Sequence, residues 1–193
     1  MKKRGVLYLV GVAMLSSIAY ILMMLNFPLP PFPTFLKIDF SDIPALIAAI
    51  IMGPAAGILV EFIKNLLHYI MTGSDGFGVP VGDFANFMAG ILYILPTYYI
   101  YNRLKTRKSM TFGLVLGTAT MAVMMSVLNY FVILPAYTYF LHAPAMSGAE
   151  VRAMIVTAIL PFNFVKGFIT MLLFMLLFSR MQNWMNKQAY KNA

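Results

Sequence analysis

The chain has 193 residues, of which 61% are hydrophobic and only 10% charged. A soluble domain carries about 25% charged residues, so this chain reads as an integral membrane protein. It holds no cysteine, which excludes disulfides, thiolate metal sites and a cysteine nucleophile, and its net charge of +8 sits mostly at the chain ends and in one short loop. Nothing resembles a basic groove with interleaved aromatics, so nucleic acid is not an expected partner.

The pattern predicts an all-α membrane protein with six transmembrane helices, at about 6–26, 43–52, 55–71, 81–101, 111–134 and 153–181, in a single membrane domain spanning 1–193. The first helix follows Lys2-Lys3-Arg4 and imitates a signal peptide. Its apolar run from Gly5 to Phe27 is too long for one, no small-residue cleavage site follows, and it is expected to be retained. Ala13 and Ser17 lie four apart on it and form a face of small residues that another helix can approach closely, whether inside the bundle or on a partner. The connection Phe27-Pro-Leu-Pro-Pro-Phe-Pro-Thr-Phe-Leu-Lys-Ile-Asp-Phe-Ser-Asp is stiffened by prolines and too rich in phenylalanine for a solvated linker. It either closes the bundle top or forms a lid over a pocket, and Ser41 or Asp42 can cap the second helix.

The second helix stops at Gly53, and Pro54 suits the first turn of the third. On that third helix Glu61, Lys64 and His68 form one stripe. An internal Glu61–Lys64 ion pair is the simpler reading; a proton relay through Glu61 and His68 is the functional one. Gly73-Ser-Asp-Gly-Phe-Gly-Val-Pro-Val-Gly is a loop in which backbone can approach a ligand, but no P-loop or dinucleotide motif accompanies it. The fourth helix carries Asp83 and Asn86 in its first turns, and the fifth carries Asn129. The sixth carries Asn163 and Lys166, three apart and so on one face. A lysine at such depth costs several kcal/mol unless it meets a partner or a cavity. Methionines and aromatics are expected mainly in packing and against lipid.

Loop charge sets the orientation. With a cytoplasmic N-terminus, the inner flanks carry Lys2, Lys3, Arg4, Arg103, Lys105, Arg107, Lys108, Arg180, Lys187 and Lys191, with no acidic residue among them. The outer loops hold Asp39, Asp42, Asp75 and Glu150, with Lys37 and Arg152 as basic exceptions. Both termini are then cytoplasmic, and the polar residues of four helices gather in the outer half. That arrangement predicts a pocket opening outward. Amides with a lysine suit a heterocycle whose edge alternates carbonyl oxygens and ring nitrogens.

Several motifs in order carry a family resemblance: Leu36-Lys-Ile-Asp-Phe-Ser-Asp-Ile-Pro-Ala, Gly53-Pro-Ala-Ala-Gly, Val79-Pro-Val-Gly with Asn86-Phe, Leu128-Asn-Tyr with Leu134-Pro-Ala-Tyr, and Leu160-Pro-Phe-Asn with Lys166-Gly. Over roughly Met14 to Phe178 the chain resembles the riboflavin-specific substrate-binding (S) components of energy-coupling factor (ECF) transporters. The resemblance implies high-affinity capture of riboflavin on the extracellular side, under the loop between the first two helices, for ATP-dependent import. It assigns flavin contact to Asn129, Asn163 and Lys166, to Asp39 and Phe40 in that loop, and to Val79 and Asn86 at the start of the fourth helix. It implies no cofactor and no enzyme activity, with FMN as a further candidate ligand. The implied partners are an ECF module of one membrane scaffold protein and two cytoplasmic ATPases, docked partly through Ala13 and Ser17. The chain itself holds no nucleotide-binding motif, so energy must come from other chains. The alternatives are a self-sufficient ion-coupled carrier using Glu61 and His68, an S component for another heterocyclic vitamin, a lipid-directed membrane enzyme and a purely structural subunit. No inverted repeat favours the carrier, and no metal-ligand cluster favours the enzyme.

Overall fold

The computed structural model describes residues 2–74 and 78–192; Asp75, Gly76 and Phe77 of the predicted glycine-rich loop lie outside them. Six helical rods follow one another along the chain. The first is α1 (Lys2–Met24). A two-residue antiparallel ribbon, β1 (Phe27–Pro28) with β2 (Lys37–Ile38), then folds the connection back on itself, pairing Phe27 with Ile38. α2 (Asp42–Met52), α3 (Pro54–Thr72) and α4 (Val81–Leu104) are the next three rods. The fifth combines α5 (Arg107–Leu128), a π-helical turn (Asn129–Ile133) and α6 (Leu134–Leu141). The sixth combines α7 (Gly148–Met154), a second π turn (Ile155–Ile159) and α8 (Leu160–Asn192).

The ends follow local chemistry. Gly53, at φ 98°, stops α2 and lets Pro54 start α3 without a break in the chain. Gly73, at φ 61°, ends α3 with its N–H on the Tyr69 carbonyl. Thr106 and Ser109 cap α5 reciprocally, as Ser147 and Glu150 cap α7.

Several helix boundaries differ from the sequence expectation, among them two in the proline-bearing fifth and sixth rods. The fifth helix was expected to end at Leu134 and the sixth to begin at Ala153, but the fifth rod runs to Leu141 and the sixth starts at Gly148. A proline inside an α-helix clashes with the carbonyl four residues back. Pro135 and Pro161 instead enter the first turn of a new α segment, immediately after a widened π turn. The rods therefore continue through their prolines. Three rods, Gly5–Met24, Arg107–Leu141 and Gly148–Met185, are long and apolar enough to cross a membrane, and α2 is apolar but short. α3 falls outside this group because Glu61, Lys64 and His68 interrupt it, yet all three side chains are buried in protein.

Glycines set the closest helix contacts. Gly113 and Gly117 of α5 lie against α4, where a Cβ at Gly117 would come 2.5 Å from the Tyr93 carbonyl oxygen and 2.6 Å from Thr97 Oγ1. Thr97 Oγ1 donates to the carbonyls of Tyr93 (2.8 Å) and Gly113 (3.1 Å), fastening the same seam. Gly167 of α8 lies as closely on Thr118, its notional Cβ 2.6 Å from Oγ1. This is how membrane helices approach when lipid supplies no hydrophobic drive between them. Gly117→Ala is expected to destabilise the fold by about 1–3 kcal/mol, read as a lower thermal midpoint in detergent. Gly5→Ala, with nothing within 4 Å of its Cβ position, is the matched control and should leave the midpoint alone.

Candidate ligand-binding site

A cavity of about 760 Å³ lies between the α1–α2 connection, the end of α3, the start of α4, both π-turn regions and α8. Its size suits a small organic ligand. The connection forms one wall through Thr34, Phe35, Leu36, Lys37 and Asp39. It is held there by two aromatic contacts: Phe32 meets Phe162 of α8 edge-on at 5.5 Å, and Phe35 meets Tyr137 of α6 at 5.8 Å.

Of the residues expected in a site, Asp39, Val79, Asn86, Asn129, Asn163 and Lys166 all line this cavity. Phe40 does not. From Lys37 onward the strand-like backbone sends alternate side chains to opposite sides, so Lys37 and Asp39 face the cavity while Ile38 is fully buried behind them. Phe40 shares the side of Ile38, with its ring 6.3 Å from that of Phe27, and packs on the hydrophobic core.

Asn129 and Asn163 are held the same way. Each donates one side-chain N–H, at 2.8 Å, to the backbone carbonyl four residues earlier, Met125 and Ile159 respectively. Both carbonyls adjoin a π turn, Met125 one turn before the first and Ile159 at the end of the second. One amide hydrogen is thus spent on orientation. The carbonyl oxygen and second N–H of each amide are the groups with which it can meet a ligand.

Beneath them lies a buried charge network. The Asp39 carboxylate accepts from the Ser41 N–H (2.9 Å), from the Ser41 hydroxyl, from Asn86 Nδ2 (3.1 Å) and from Lys166 Nζ (3.3 Å). Burial by itself would raise the Asp39 carboxyl. Lys166, Lys64 and the two Ser41 hydrogen bonds outweigh it and hold the group well below the usual carboxylate range. Lys166 also stands 3.8 Å from Asp42. Lys64, with no exposed surface, reaches Ser41 Oγ at 2.5 Å, and Asp42 and Glu61 at 2.8 Å each.

The Glu61–Lys64 pair expected within α3 is therefore present, and Lys64 also ties α3 to the start of α2. Glu61 lies against Gly90 of α4, where a Cβ would collide with its carboxyl group, and it does not line the cavity. His68 does line it, joined through Nδ1 to Asp83 Oδ1 at 2.6 Å, and Ser74 donates to Asp83 Oδ2 at 2.5 Å. Along the stripe on α3, Glu61 and Lys64 thus join the charges around Asp42, and His68 joins Asp83.

On the opposite side of α1, Ala13 and Ser17 are exposed, while Val12, Ser16 and Ala19 face the bundle. The Ser17 hydroxyl donates back to the Ala13 carbonyl at 3.0 Å, and the two small residues sit among the exposed Val10, Met14 and Ile18.

An apolar exterior around an internal cavity lined by oriented amides and paired charges defines a membrane protein that binds a small polar molecule. The chain belongs to the substrate-specific components of ECF transporters: the family model described as "ECF transporter, substrate-specific component" matches residues 7–178. It is 54% identical over 180 residues to the riboflavin transporter FmnP of Bacillus subtilis (strain 168), covering 93% of this chain and 94% of that protein. It is 40% identical over 179 residues to the riboflavin transporter RibU of Staphylococcus aureus (strain TCH60), covering 93% and 92%. Among solved structures, the S component of a bacterial ECF transporter superposes with a TM-score of 0.77 at 41% identity, covering 92% of this chain and 96% of the other.

Proposed function

We propose that this chain captures riboflavin on the extracellular side of the cell membrane and passes it inward as the S component of an ECF-type, ATP-dependent importer. The observation that carries this reading is the meeting of Asn129, Asn163 and Lys166 in one cavity of about 760 Å³. The pyrimidine edge of a flavin offers two carbonyl oxygens and an imide N–H, for which two amides and a lysine are complementary. The flat remainder of the ring suits the apolar wall supplied by Met125, Ile133, Leu134 and Phe162. FMN is the further candidate. Its phosphate would meet the carboxylates of Asp39 and Asp83 as well as Lys37 and Lys166, so riboflavin is the better match.

In this reading the chain is one membrane domain with both termini cytoplasmic, supported by basic residues at those flanks. The polyproline connection then lies outside, over the cavity. The chain performs no covalent chemistry and holds no cofactor. A membrane scaffold protein and two cytoplasmic ATPases supply the energy, and the small residues Ala13 and Ser17 are where a scaffold helix can lie close. An ion-coupled carrier has less support, because Glu61 is outside the cavity lining and committed to Lys64.

The test is the visible absorption spectrum of the detergent-purified protein before any ligand is added. Flavin bands at near-equimolar occupancy are expected. A colourless preparation that also fails to quench the fluorescence of added riboflavin would overturn the ligand and leave the family membership standing.

A further inference from the structure

The turn between α4 and α5 carries positive charge that no acidic residue nearby balances. Lys105 and Thr106 alone join the two helices, with Lys105 in the left-handed conformation at φ 50°. That short turn gathers Arg103, Lys105, Arg107 and Lys108 within six residues. Arg107 then reaches across to α8: its Nε donates to Gln182 Oε1 and its Nη2 to the Ser179 carbonyl, both at 3.1 Å, which brings Arg180 alongside. The acidic residues of the chain are Asp39, Asp42, Glu61, Asp75, Asp83 and Glu150. Only Glu150 belongs to the fifth or sixth rod, and about 45 Å of helix separates it from Arg180. Helix N-termini favour anions, yet α5 opens with Arg107 and Lys108 and has no acidic residue in its first turn. These groups become favourably placed once an anion from outside the chain sits among them.

The shape of the surface says which anion. α5 and α8 run antiparallel along a seam in which Arg107 meets Ser179, Thr111 meets Met175 and Thr118 meets Gly167. Each residue of a helix is turned by about 100° from the one before it. In an antiparallel pair, the residue following a seam position therefore turns to the same side on both helices. Lys108 and Phe112 follow Arg107 and Thr111, as Leu176 and Arg180 follow Met175 and Ser179. All four are exposed, on one flank of the pair. The other flank is the bundle itself, where Gly113 and Gly117 lie on α4 and Phe174 and Phe178 are buried.

Two columns thus run side by side, about 8–10 Å apart as packed helices are. In each, a cation stands one turn from exposed apolar side chains: Lys108 from Phe112, and Arg180 from Leu176, with the exposed Leu172 a turn deeper. Cations at that distance from a lipid-facing surface stand at headgroup height. A water-soluble anion would need the cations but not the columns.

We propose that Arg107, Lys108 and Arg180 hold the phosphate of an anionic phospholipid whose acyl chains lie along the groove between these columns. In the orientation proposed above, this is a lipid of the inner leaflet. The site shares no residue with the lining of the ligand cavity and does not depend on what that cavity binds.

Native mass spectrometry of the purified full-length protein, released from micelles doped with equal amounts of phosphatidylglycerol and phosphatidylcholine, counts the lipid that stays bound. Wild type is expected to retain phosphatidylglycerol with roughly 10-fold preference or more. Lys108→Gln/Arg180→Gln, which leaves the Arg107 bonds in place, should reduce the preference to below about 2-fold without moving the thermal midpoint. Arg152→Gln, near the opposite end of the sixth rod, should leave it intact. Wild type that retains both lipids equally overturns the proposal and leaves the cations to an acidic protein surface. A preference that survives the double variant, or that Arg152→Gln lowers as far, overturns it too. Glycerol 3-phosphate that displaces the lipid at equal concentration would reveal a plain anion site and refute the part given to the columns. Should the double variant fold poorly, Lys108→Gln and Arg180→Gln taken singly carry the test: a loss of about 3-fold is expected from each, and no loss from either refutes the site.

Discussion

Lys64→Met is expected to be the most damaging single substitution in the molecule, lowering stability by about 3–5 kcal/mol. The lysine is wholly buried and stands within 2.8 Å of both Asp42 and Glu61 and 2.5 Å of Ser41. Methionine fills nearly the same volume, so the loss comes from charge rather than from a cavity. Three buried carboxylates, Asp39, Asp42 and Glu61, are left with one cation, Lys166, which reaches Asp39 at 3.3 Å and Asp42 only at 3.8 Å. Thermal unfolding of the detergent-solubilised protein measures the effect, and a midpoint within about 2 °C of wild type would refute the account. The double variant Lys64→Met/Glu61→Gln tests the cause. Removing the charge of Glu61, which has no other cation among its described contacts, should restore part of the stability. If the double variant is as unstable as the sum of its parts, charge imbalance is not the reason.

The second large effect is on ligand capture. Lys166→Ala is expected to weaken riboflavin binding by about 1.5–3 kcal/mol, roughly 10- to 150-fold, because it deletes a charged donor in a buried site. Asn163→Ala, which deletes neutral groups, should cost less, about 0.5–1.5 kcal/mol. Lys166 is also a partner of Asp39, so a fall in affinity could come from a displaced carboxylate. The double variant Lys166→Met/Asp39→Asn separates the two. It removes a negative and a positive charge together, and affinity should remain low if the ammonium itself meets the flavin. Affinity returning to the wild-type level would assign Lys166 a purely structural role. Equilibrium titration by flavin fluorescence supplies each value, with the thermal midpoint showing that the bundle is intact.

Much of the site was legible because polar residues in apolar helices are few and cost free energy. Asn129, Asn163 and Lys166 stood out for that reason and line the same cavity. What periodicity could not show was partnership across helices. Lys64 reads from spacing as the neighbour of Glu61, and nothing in a helical stripe announces Asp42, twenty-two residues earlier, as an equal partner. Phe40 was expected at the ligand from the family resemblance, yet its ring packs toward Phe27 and the hydrophobic core. The π turns had a signal that went unread: Leu134-Pro135 and Leu160-Pro161 each follow one directly. The expected fifth helix stopped just before Pro135, whereas the extra residue in the widened turn accommodates a proline there. Gly113-x-x-x-Gly117, the spacing on which the α4–α5 seam rests, was equally visible and equally missed. Ser74, Tyr137 and Phe162 had no individual signal. Tyr137 and Phe162 reach the cavity from the helical segments that follow the two π turns, and Ser74 from just beyond the end of α3.

Those glycine seams bear on stiffness as well as on stability. Where Gly117 lies on the Tyr93 carbonyl and Gly167 on Thr118, backbone rests on its neighbour with no flexible side chain between to take up a displacement. The parts of α4, α5 and α8 joined in this way form a block that transmits a push rather than absorbing it. The segment from Phe27 to Asp42 is attached differently, by ring edges and by the tips of Lys64, Lys166 and Asn86. The ring-edge contacts and the Asn86 bond can be released and remade one at a time, while the buried lysines anchor the end of the segment nearest α2. The molecule thus has a stiff frame and a fastened strap, and the compliant side of the cavity is the one walled by that strap.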